Sequence, residues 1–175
     1  MPASTIPGTD AAAQPPKPID SRGPRWVGGY TFVIAVAALV VALLTPIEAT
    51  IQGRLLSPEF ILIAVLWLSF AAGTFGGNGA HPFAAFFRRV VQPRLRPAER
   101  EDPRPPRFAL LVGFVLTTIA LVLHAAGVPY GLVVATALVV VASFLQAFVG
   151  FCLGCQVYLL LARARIIRPK ATLAY

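Results

Sequence analysis

The chain has 175 residues, of which 57% are apolar and only 13% are charged, and its mean hydropathy is +0.75. This composition excludes a soluble domain, because too few polar side chains are present to cover its surface. The net charge of +8 does not indicate nucleic-acid binding, since the basic residues flank apolar runs, where anionic lipid headgroups attract them. We therefore expect contact with a lipid bilayer and with no nucleic acid.

Three runs of the sequence, residues 26–47, 60–87 and 108–162, contain no Asp, Glu, Lys or Arg. A helix crosses the hydrocarbon core of a bilayer in about 20 residues, so each run is long enough to span it. The third run is interrupted at Gly127-Val128-Pro129 and holds two spans. The sequence thus predicts an all-α membrane protein with four transmembrane helices arranged as two hairpins.

The elements follow in chain order. Residues 1–21 lack the apolar segment of a secretory signal and predict a disordered cytoplasmic tail. A transmembrane domain is expected over residues 22–165, with a second cytoplasmic tail over residues 166–175. Its helices are predicted at residues 26–44, 57–75, 108–126 and 131–161. Ser57-Pro58-Glu59 marks the start of the second, as N-cap, first helical residue and acidic first turn.

Between the hairpins, residues 82–92 are predicted to form a short helix. One face carries an apolar stripe, with two arginines beside it: Phe83, Phe86, Phe87, Val90 and Val91, then Arg88 and Arg89. This pattern is typical of a helix anchored in the membrane interface, although it also fits a simple cap on the second span. Residues 93–107, rich in proline and mixed charge, predict a linker without regular structure.

The distribution of charge predicts the orientation. Fourteen of the 15 Lys and Arg residues fall on one side of this topology, and Arg54 alone falls on the other. Because positive charge is retained on the cytoplasmic side, both termini are expected in the cytoplasm, with the protein in the inner (plasma) membrane of the cell.

The two halves of the chain resemble each other weakly. Pro24-Arg25-Trp26 opens the first helix and Pro106-Arg107-Phe108 opens the third. An offset of 75 residues then pairs Gly79 with Gly154, Phe83 with Tyr158 and Arg88 with Arg163. Since each hairpin starts and ends on the same side, a duplication would be parallel. Chance matches in apolar sequence are the alternative.

The only two cysteines, Cys152 and Cys155, lie near the cytoplasmic end of the last predicted helix, spaced to share one helical face. Three interpretations are open: a dithiol for redox or sulfur transfer, two small residues that only pack, or metal ligands. Gly150 and Gly154 would permit a kink or a close helix approach, and Gln146 is placed to hydrogen-bond across helices.

Several considerations weigh against a reactive pair. The C-terminal end of a helix disfavours a thiolate, and a disulfide inside a continuous helix would be strained. The cytoplasm would keep both cysteines as free thiols. A metal needs more ligands than two thiolates, and the candidates are poor: His81 is more typical of a headgroup contact, and His124 lies at the opposite side as an interfacial polar residue. Cys-x-x-Cys-His is absent, so no haem or other cofactor is expected.

Ionisable residues mark function inside membranes, and the predicted spans contain no Asp, Glu, Lys or Arg beyond their first turns. A proton-coupled transporter or a membrane hydrolase is therefore not expected.

Four stretches carry a resemblance to a known family: Ile19-Asp20-Ser21-Arg22-Gly23-Pro24-Arg25, Phe86-Phe87-Arg88-Arg89, Pro106-Arg107-Phe108 and Gly150-Phe151-Cys152-Leu153-Gly154-Cys155. Over about residues 19–163 the chain resembles the bacterial, largely actinobacterial, membrane family called domain of unknown function 4395. The cysteine motif is also similar to the Gly-Phe-Cys-Pro end of two-helix membrane domains fused to rhodaneses, with Leu153 in place of proline and a second cysteine added.

These resemblances imply the architecture and an association with a thioredoxin-like or rhodanese-like cytoplasmic protein. Two functional hypotheses follow: a thiol- or sulfur-exchange partner acting through Cys152 and Cys155, or a non-catalytic scaffold or assembly subunit in which these cysteines only pack. Whether the protein is an enzyme, and whether it forms a homo-oligomer, is left open by the sequence.

Overall fold

The computed structural model describes residues 19–77, 80–96 and 99–165, without the side chain of Arg100. The predicted tails over residues 1–18 and 166–175, and Gly79 of the repeat pairing, lie outside the described residues. The helices are α1 (Arg22–Leu44), α2 (Ile51–Leu56), α3 (Pro58–Phe75), α4 (Pro82–Phe86), α5 (Arg104–Ala125), α6 (Gly131–Phe144) and α7 (Leu153–Arg163). Two-residue strands, β1 (Ile19–Asp20) and β2 (Arg100–Glu101), pair antiparallel.

Three short segments continue the helices with altered winding. Helix α4 passes into a π-helical turn over Phe87–Val91 and a 3-10 turn over Gln92–Arg94. Helix α6 passes into a π-helical turn over Leu145–Val149.

The long helices form a four-membered bundle in which α1 and α5 each pack against both α3 and α6. Four segments are long and apolar enough to cross a membrane: Arg22–Leu44, Pro58–Phe75, Arg104–Ala125 and Gly131–Val149. The core consists of small and branched side chains such as Ala35, Ile63 and Val139. Large apolar side chains are exposed on the outside, as expected of a surface that faces lipid. The predicted all-α fold with four transmembrane helices is confirmed.

The bundle has two dissimilar ends. We call the end where α1 and α5 begin and α3 and α6 finish the basic face; it carries α4, α7 and the β1–β2 pair. We call the other end the far face; it carries α2 and Arg54.

Each hairpin is followed by a short helix that docks on the first helix of the same hairpin. On α1, Tyr30 stacks on Phe83 with ring centroids 5.0 Å apart, and Trp26 contacts Phe87 at 5.8 Å. On α5, the ring of Phe108 lies 5.7 Å from that of Tyr158 in α7. Apart from α2, which has no counterpart between α5 and α6, the two halves share the order span, span, short helix and the same docking of that short helix, a pattern compatible with a parallel duplication.

Five sequence-based boundaries or segments differ from the structure. Helices α1 and α5 begin at Arg22 and Arg104, four residues before the predicted starts, because a proline in the first turn costs no hydrogen bond. The last residues of the predicted N-terminal tail and part of the predicted linker form β1 and β2. The helix expected over residues 131–161 is interrupted at Gly150.

Candidate functional site

The interruption after α6 is made by Gly150. This residue adopts the left-handed conformation, with φ of +75°, which a residue with a side chain adopts only with strain. Its N–H and that of Phe151 both donate to the carbonyl of Leu145, the latter at 2.9 Å. Helices commonly end in this way, with a left-handed glycine and with backbone N–H groups that donate to the last free carbonyls of the helix. The chain then turns, and α7 begins at Leu153.

Cys152 is the N-cap of α7, with an extended backbone (φ −87°, ψ 100°). Its Sγ accepts a hydrogen bond from the backbone N–H of Cys155 at 3.2 Å, and its carbonyl accepts from Gln156 at 3.0 Å. The two sulfurs are bonded as a disulfide, with Cα atoms 5.2 Å apart. The expectation of free thiols thus differs from the structure, and the objection of helix strain does not apply, because Cys152 lies outside the helix.

The position of the pair reverses a sequence-based conclusion. The cysteines were expected near a helix C-terminus, but they open a helix instead. The free N–H groups and the dipole of an N-terminal turn stabilise a thiolate there. Arg25 lies beside the turn that precedes the pair: its guanidinium carbon is 4.0 Å from where a Cβ on Gly150 would be. Both sulfur-bearing residues are half-buried.

Gly154 allows α7 to dock on α5. A Cβ on Gly154 would lie 2.6 Å from both Cα and Cβ of Ala109, closer than side-chain atoms approach. The two helix backbones therefore touch at this point, and Phe108 and Tyr158 pack beside it. The cysteine turn is held against the bundle by this contact.

The segment before the break is held to α1 by Gln146. Its Nε2 donates to the backbone carbonyl of Pro24 at 2.8 Å, the kind of interhelical bond expected from the sequence. Gly28 makes room for it, since a Cβ there would lie 3.2 Å from Cγ of Gln146. Arg25 donates to the carbonyl of Ala147 at 3.4 Å.

A cavity of about 430 Å³ lies inside the bundle near the basic face. Its walls come from α1, α5, α6 and α7 and from Phe70 of α3, with α4 and the segments around it closing the end. Most of the lining is apolar, and the polar side chains are Asp20, Thr31, His81, Arg88, Gln92, Ser143 and Gln146. Neither Cys152 nor Cys155 lines it.

His81 is the most unusual residue of this cavity. It is 1% exposed, and neither ring nitrogen has a hydrogen-bond partner among the residues that the structure describes. Its ring packs against Phe70 and Phe83, with centroids 6.1 and 5.7 Å away. Burial lowers the pKa of His81 from 6.5 to about 4, so the imidazole is neutral at pH 7. The expected headgroup contact is therefore wrong.

One feature of the sequence could have located the histidine. Gly73, two residues before the end of α3, leaves space for the ring: a Cβ there would meet Cδ2 of His81 at 3.0 Å. A glycine inside an apolar span, followed closely by a His-Pro helix start, is a signal of such packing.

The metal interpretation of the cysteines finds no support in the described part of the chain. Among these residues, no three His, Cys, Asp or Glu side chains lie close enough to hold an ion. His81 faces the cavity, which neither cysteine lines.

A second polar cluster lies near the far face, and the sequence did not predict it. Glu59 and His124 are 3% and 6% exposed, and His124 Nε2 lies 3.8 Å from Glu59 Oε1 and 3.2 Å from Ser57 Oγ. His124 is therefore buried and not interfacial, and α3 contains a buried carboxylate. Because both neighbours share one ring nitrogen, the cluster lacks the serine–histidine–carboxylate relay of a hydrolase.

The stripe predicted on residues 82–92 is divided by the structure. Phe87 is buried against Trp26, and Phe83 is half-buried against Tyr30. Phe86, Arg88 and Arg89 are exposed. The helix thus docks through two of its three phenylalanines and leaves the third, with the arginines, on the surface.

The fold and this site define a class: an all-helical protein with four apolar spans and a Cys-x-x-Cys turn at one end of the bundle. A family model described as "Domain of unknown function (DUF4395)" matches residues 19–163, and the chain belongs to this family. No curated protein and no solved structure matches it.

Proposed function

We propose that this protein is a multi-pass inner-membrane protein that exchanges disulfides or sulfane sulfur with a soluble partner through Cys152 and Cys155. The observation that carries the proposal is that Cys152 caps the N-terminus of α7, with its sulfur accepting the Cys155 N–H. Cysteine pairs that start a helix are the ones whose thiolates are stabilised and reactive. The partner class is a thioredoxin-like or rhodanese-like protein.

We assign Cys152 as the attacking residue and Cys155 as the resolving residue. The Cys152 sulfur receives the backbone hydrogen bond and lies outside the helix, so its thiolate is the better stabilised of the two. In disulfide exchange, the Cys152 thiolate attacks a partner disulfide and forms a mixed disulfide, releasing one partner thiolate. Cys155 then attacks Cys152, which yields the Cys152–Cys155 disulfide and the second partner thiolate.

Sulfane-sulfur transfer uses the same pair. The Cys152 thiolate takes the outer sulfur of a partner persulfide and becomes a persulfide, while the partner leaves as a thiolate. Attack by Cys155 on the inner sulfur then forms the disulfide and expels hydrosulfide.

The proposed orientation places the basic face in the cytoplasm. Fourteen of the 15 Lys and Arg residues belong to segments assigned to that side, and Arg54 lies at the far face. The positive-inside rule supports this assignment. It gives a cytoplasmic partner access to the cysteine turn, next to the exposed Phe151 and Leu153.

A scaffold or assembly subunit is the second candidate, and one contact favours it. Gly154, between the two cysteines, is needed for the approach of α7 to α5, so this stretch also has a packing role. In that case the cysteines would be dispensable while Gly154 would not.

Exchange is tested with the purified protein in nanodiscs, after reduction and removal of the reductant. The reduced wild type is mixed with an oxidised thioredoxin-like protein, and mixed disulfides are resolved by non-reducing electrophoresis. Cys155→Ser should accumulate the mixed disulfide because nothing resolves it, and Cys152→Ser should form much less. The scaffold function predicts that neither variant reacts and that both variants keep the stability of the reduced wild type.

Orientation is tested with a membrane-impermeant maleimide on reduced samples. Cys152 and Cys155 should label in inverted vesicles and not in intact cells. Arg54→Cys, in a chain that carries Ser at both native positions, should give the opposite pattern. Labelling of the native cysteines from outside the cell would refute the cytoplasmic assignment.

A further inference from the structure

We propose that the cavity near the basic face binds a neutral, membrane-soluble molecule with a planar carbonyl-bearing head group, of the isoprenoid quinone class, and that His81 hydrogen-bonds this head group. The site is built from the buried histidine, the aromatic and apolar walls around it, and an opening along α6.

The cavity reaches the lipid-facing flank of α6. Val139 and Ser143 mark the inward side of this helix, since both are buried. Val141, midway between them, is turned about 200° from either, at about 100° per residue, and is 54% exposed. Because Val141 and the equally exposed Leu138 also line the cavity, a molecule dissolved in the bilayer can enter from the side.

His81 is a polar anchor without a partner. It lines the cavity, is 1% exposed, and carries two ring nitrogens that bond to nothing among the described residues. A buried polar group left unpaired costs about 1–3 kcal/mol, so such groups almost always have a partner. Packing of the ring against Phe70 and the space left by Gly73 fix its position.

The charges around the cavity disfavour an anionic head group. His81 is neutral at pH 7 because burial lowers its pKa to about 4. Asp20 already accepts from the N–H of Arg22 at 2.9 Å and from Gln92 Nε2 at 3.4 Å, and it would repel a phosphate or carboxylate. Arg88 offsets that charge, so the lining as a whole is neutral.

The shape and chemistry of the walls favour a planar ring with oxygen substituents. Phe70, which packs against His81, and Phe87 both line the cavity, and aromatic faces stack well on a flat conjugated head. A neutral imidazole has one N–H donor and one bare nitrogen. The donor pairs with a quinone carbonyl, and the bare nitrogen accepts from a quinol hydroxyl, so both forms of the head group are satisfied. A volume of about 430 Å³ lies within the range of small-molecule sites.

This binding site does not depend on the thiol exchange proposed above. The residues of α7 that line the cavity are Leu153, Gly154 and Val157, and neither cysteine does. Ligand binding and cysteine reactivity can therefore be tested, and refuted, independently of each other.

The chain contains its own optical probe of occupancy. Trp26 contacts Phe87, a lining residue, whereas Trp67 stacks on Phe114 and donates to Thr118, neither of which lines the cavity. The two are the only tryptophans of the protein. A decyl-substituted benzoquinone, titrated into the protein in detergent, should quench Trp26 in the Trp67→Phe variant. Trp67 in the Trp26→Phe variant should be quenched much less.

Variants of the lining then identify the site. His81→Phe in the Trp67→Phe background keeps the ring packing and should raise the Kd of the quinone about tenfold, the loss of one hydrogen bond worth about 1.4 kcal/mol. Ala142→Leu, which fills the cavity, should weaken binding at least as much. This variant provides the test if His81→Phe does not fold. Cys152→Ser should bind like the parent.

Two results would overturn the proposal. One is a Kd unchanged in both His81→Phe and Ala142→Leu, since the quencher would then act from the surrounding detergent. The other is displacement of the quinone by phosphatidylglycerol at equal concentration, since an anionic lipid would then be the ligand. The dimethyl ether of the corresponding quinol, which has neither quinone carbonyls nor quinol hydroxyls, should compete poorly.

Discussion

Substitution of Gly154 tests whether the cysteine turn is held by the docking of α7 on α5. The Cβ of Gly154→Ala would lie 2.6 Å from Cα and Cβ of Ala109. Ordinary carbon–carbon contact is about 3.8 Å, so α7 has to move away by about 1.2 Å. Overpacking of this kind costs about 1–3 kcal/mol, and alanine returns up to about 1 kcal/mol in helix propensity. We expect a net destabilisation of about 1–2 kcal/mol.

Gly29 provides the matched control. It lies in α1, and a Cβ there would meet nothing within 4 Å, so Gly29→Ala should stabilise the protein by about 0.5–1 kcal/mol through helix propensity alone. Unfolding in mixed micelles measures both changes. The rate of maleimide labelling of the reduced protein provides a second readout, because displacement of α7 should expose Cys155. If Gly154→Ala stabilises the protein as Gly29→Ala does and leaves labelling unchanged, α7 is not packed on α5.

Three further predictions concern buried polar groups. Burial lowers the pKa of His81 to about 4 in the folded protein, against 6.5 in the unfolded chain. The free energy of unfolding should therefore be constant above pH 6.5 and fall by about 3 kcal/mol as the pH drops to 4. Thermal unfolding across this range measures the pH dependence, which His81→Phe should remove. Arg54 Nη1 donates to the Ala125 carbonyl at 2.9 Å, and Arg54→Met should lower the free energy of unfolding by about 1.5–3 kcal/mol. An unchanged free energy of unfolding would show that this hydrogen bond does not stabilise the protein. His124→Leu removes the neighbour of the buried Glu59 and should cost about 1–3 kcal/mol, most of which Glu59→Gln in the same chain should restore.

The architecture was predictable because it depends on the apolar runs, whose length and separation define four spans regardless of detail. The start of α3 was also predictable, since Ser57, Pro58 and Glu59 occupy the expected positions. However, Ser57 makes no capping bond with its side chain, and its hydroxyl bonds instead to the Arg54 carbonyl and His124. Partners distant in sequence are not visible in a local pattern.

The cysteine turn shows where sequence reasoning fails. Residues 131–161 are largely apolar and contain no charged side chain, so hydropathy alone predicts one long helix. The break depends on the left-handed backbone of Gly150 and on the contact between Gly154 and Ala109. A hydropathy profile detects neither of these features. The error had a chemical consequence, because it placed Cys152 at the wrong end of a helix and reversed the expected effect of the dipole.

His81 and Cys152 occupy related positions in the two halves of the molecule. Each is the extended N-cap of the short helix that follows its hairpin, and each short helix docks on the first span of its own half. These N-caps are 71 residues apart, so the structural correspondence differs from the 75-residue offset suggested by the sequence, which aligned His81 with Gln156. The carbonyl of an N-cap residue accepts the first hydrogen bond of its helix, but its side chain lies before the first turn, where it can face a cavity or a partner. In one half this position carries a buried imidazole facing a cavity, and in the other it carries the sulfur of a half-buried cysteine. The shared arrangement of span, short helix and N-cap accounts for why the two candidate sites lie at the same face, and the separate docking of the two short helices predicts that loss of one site leaves the other folded.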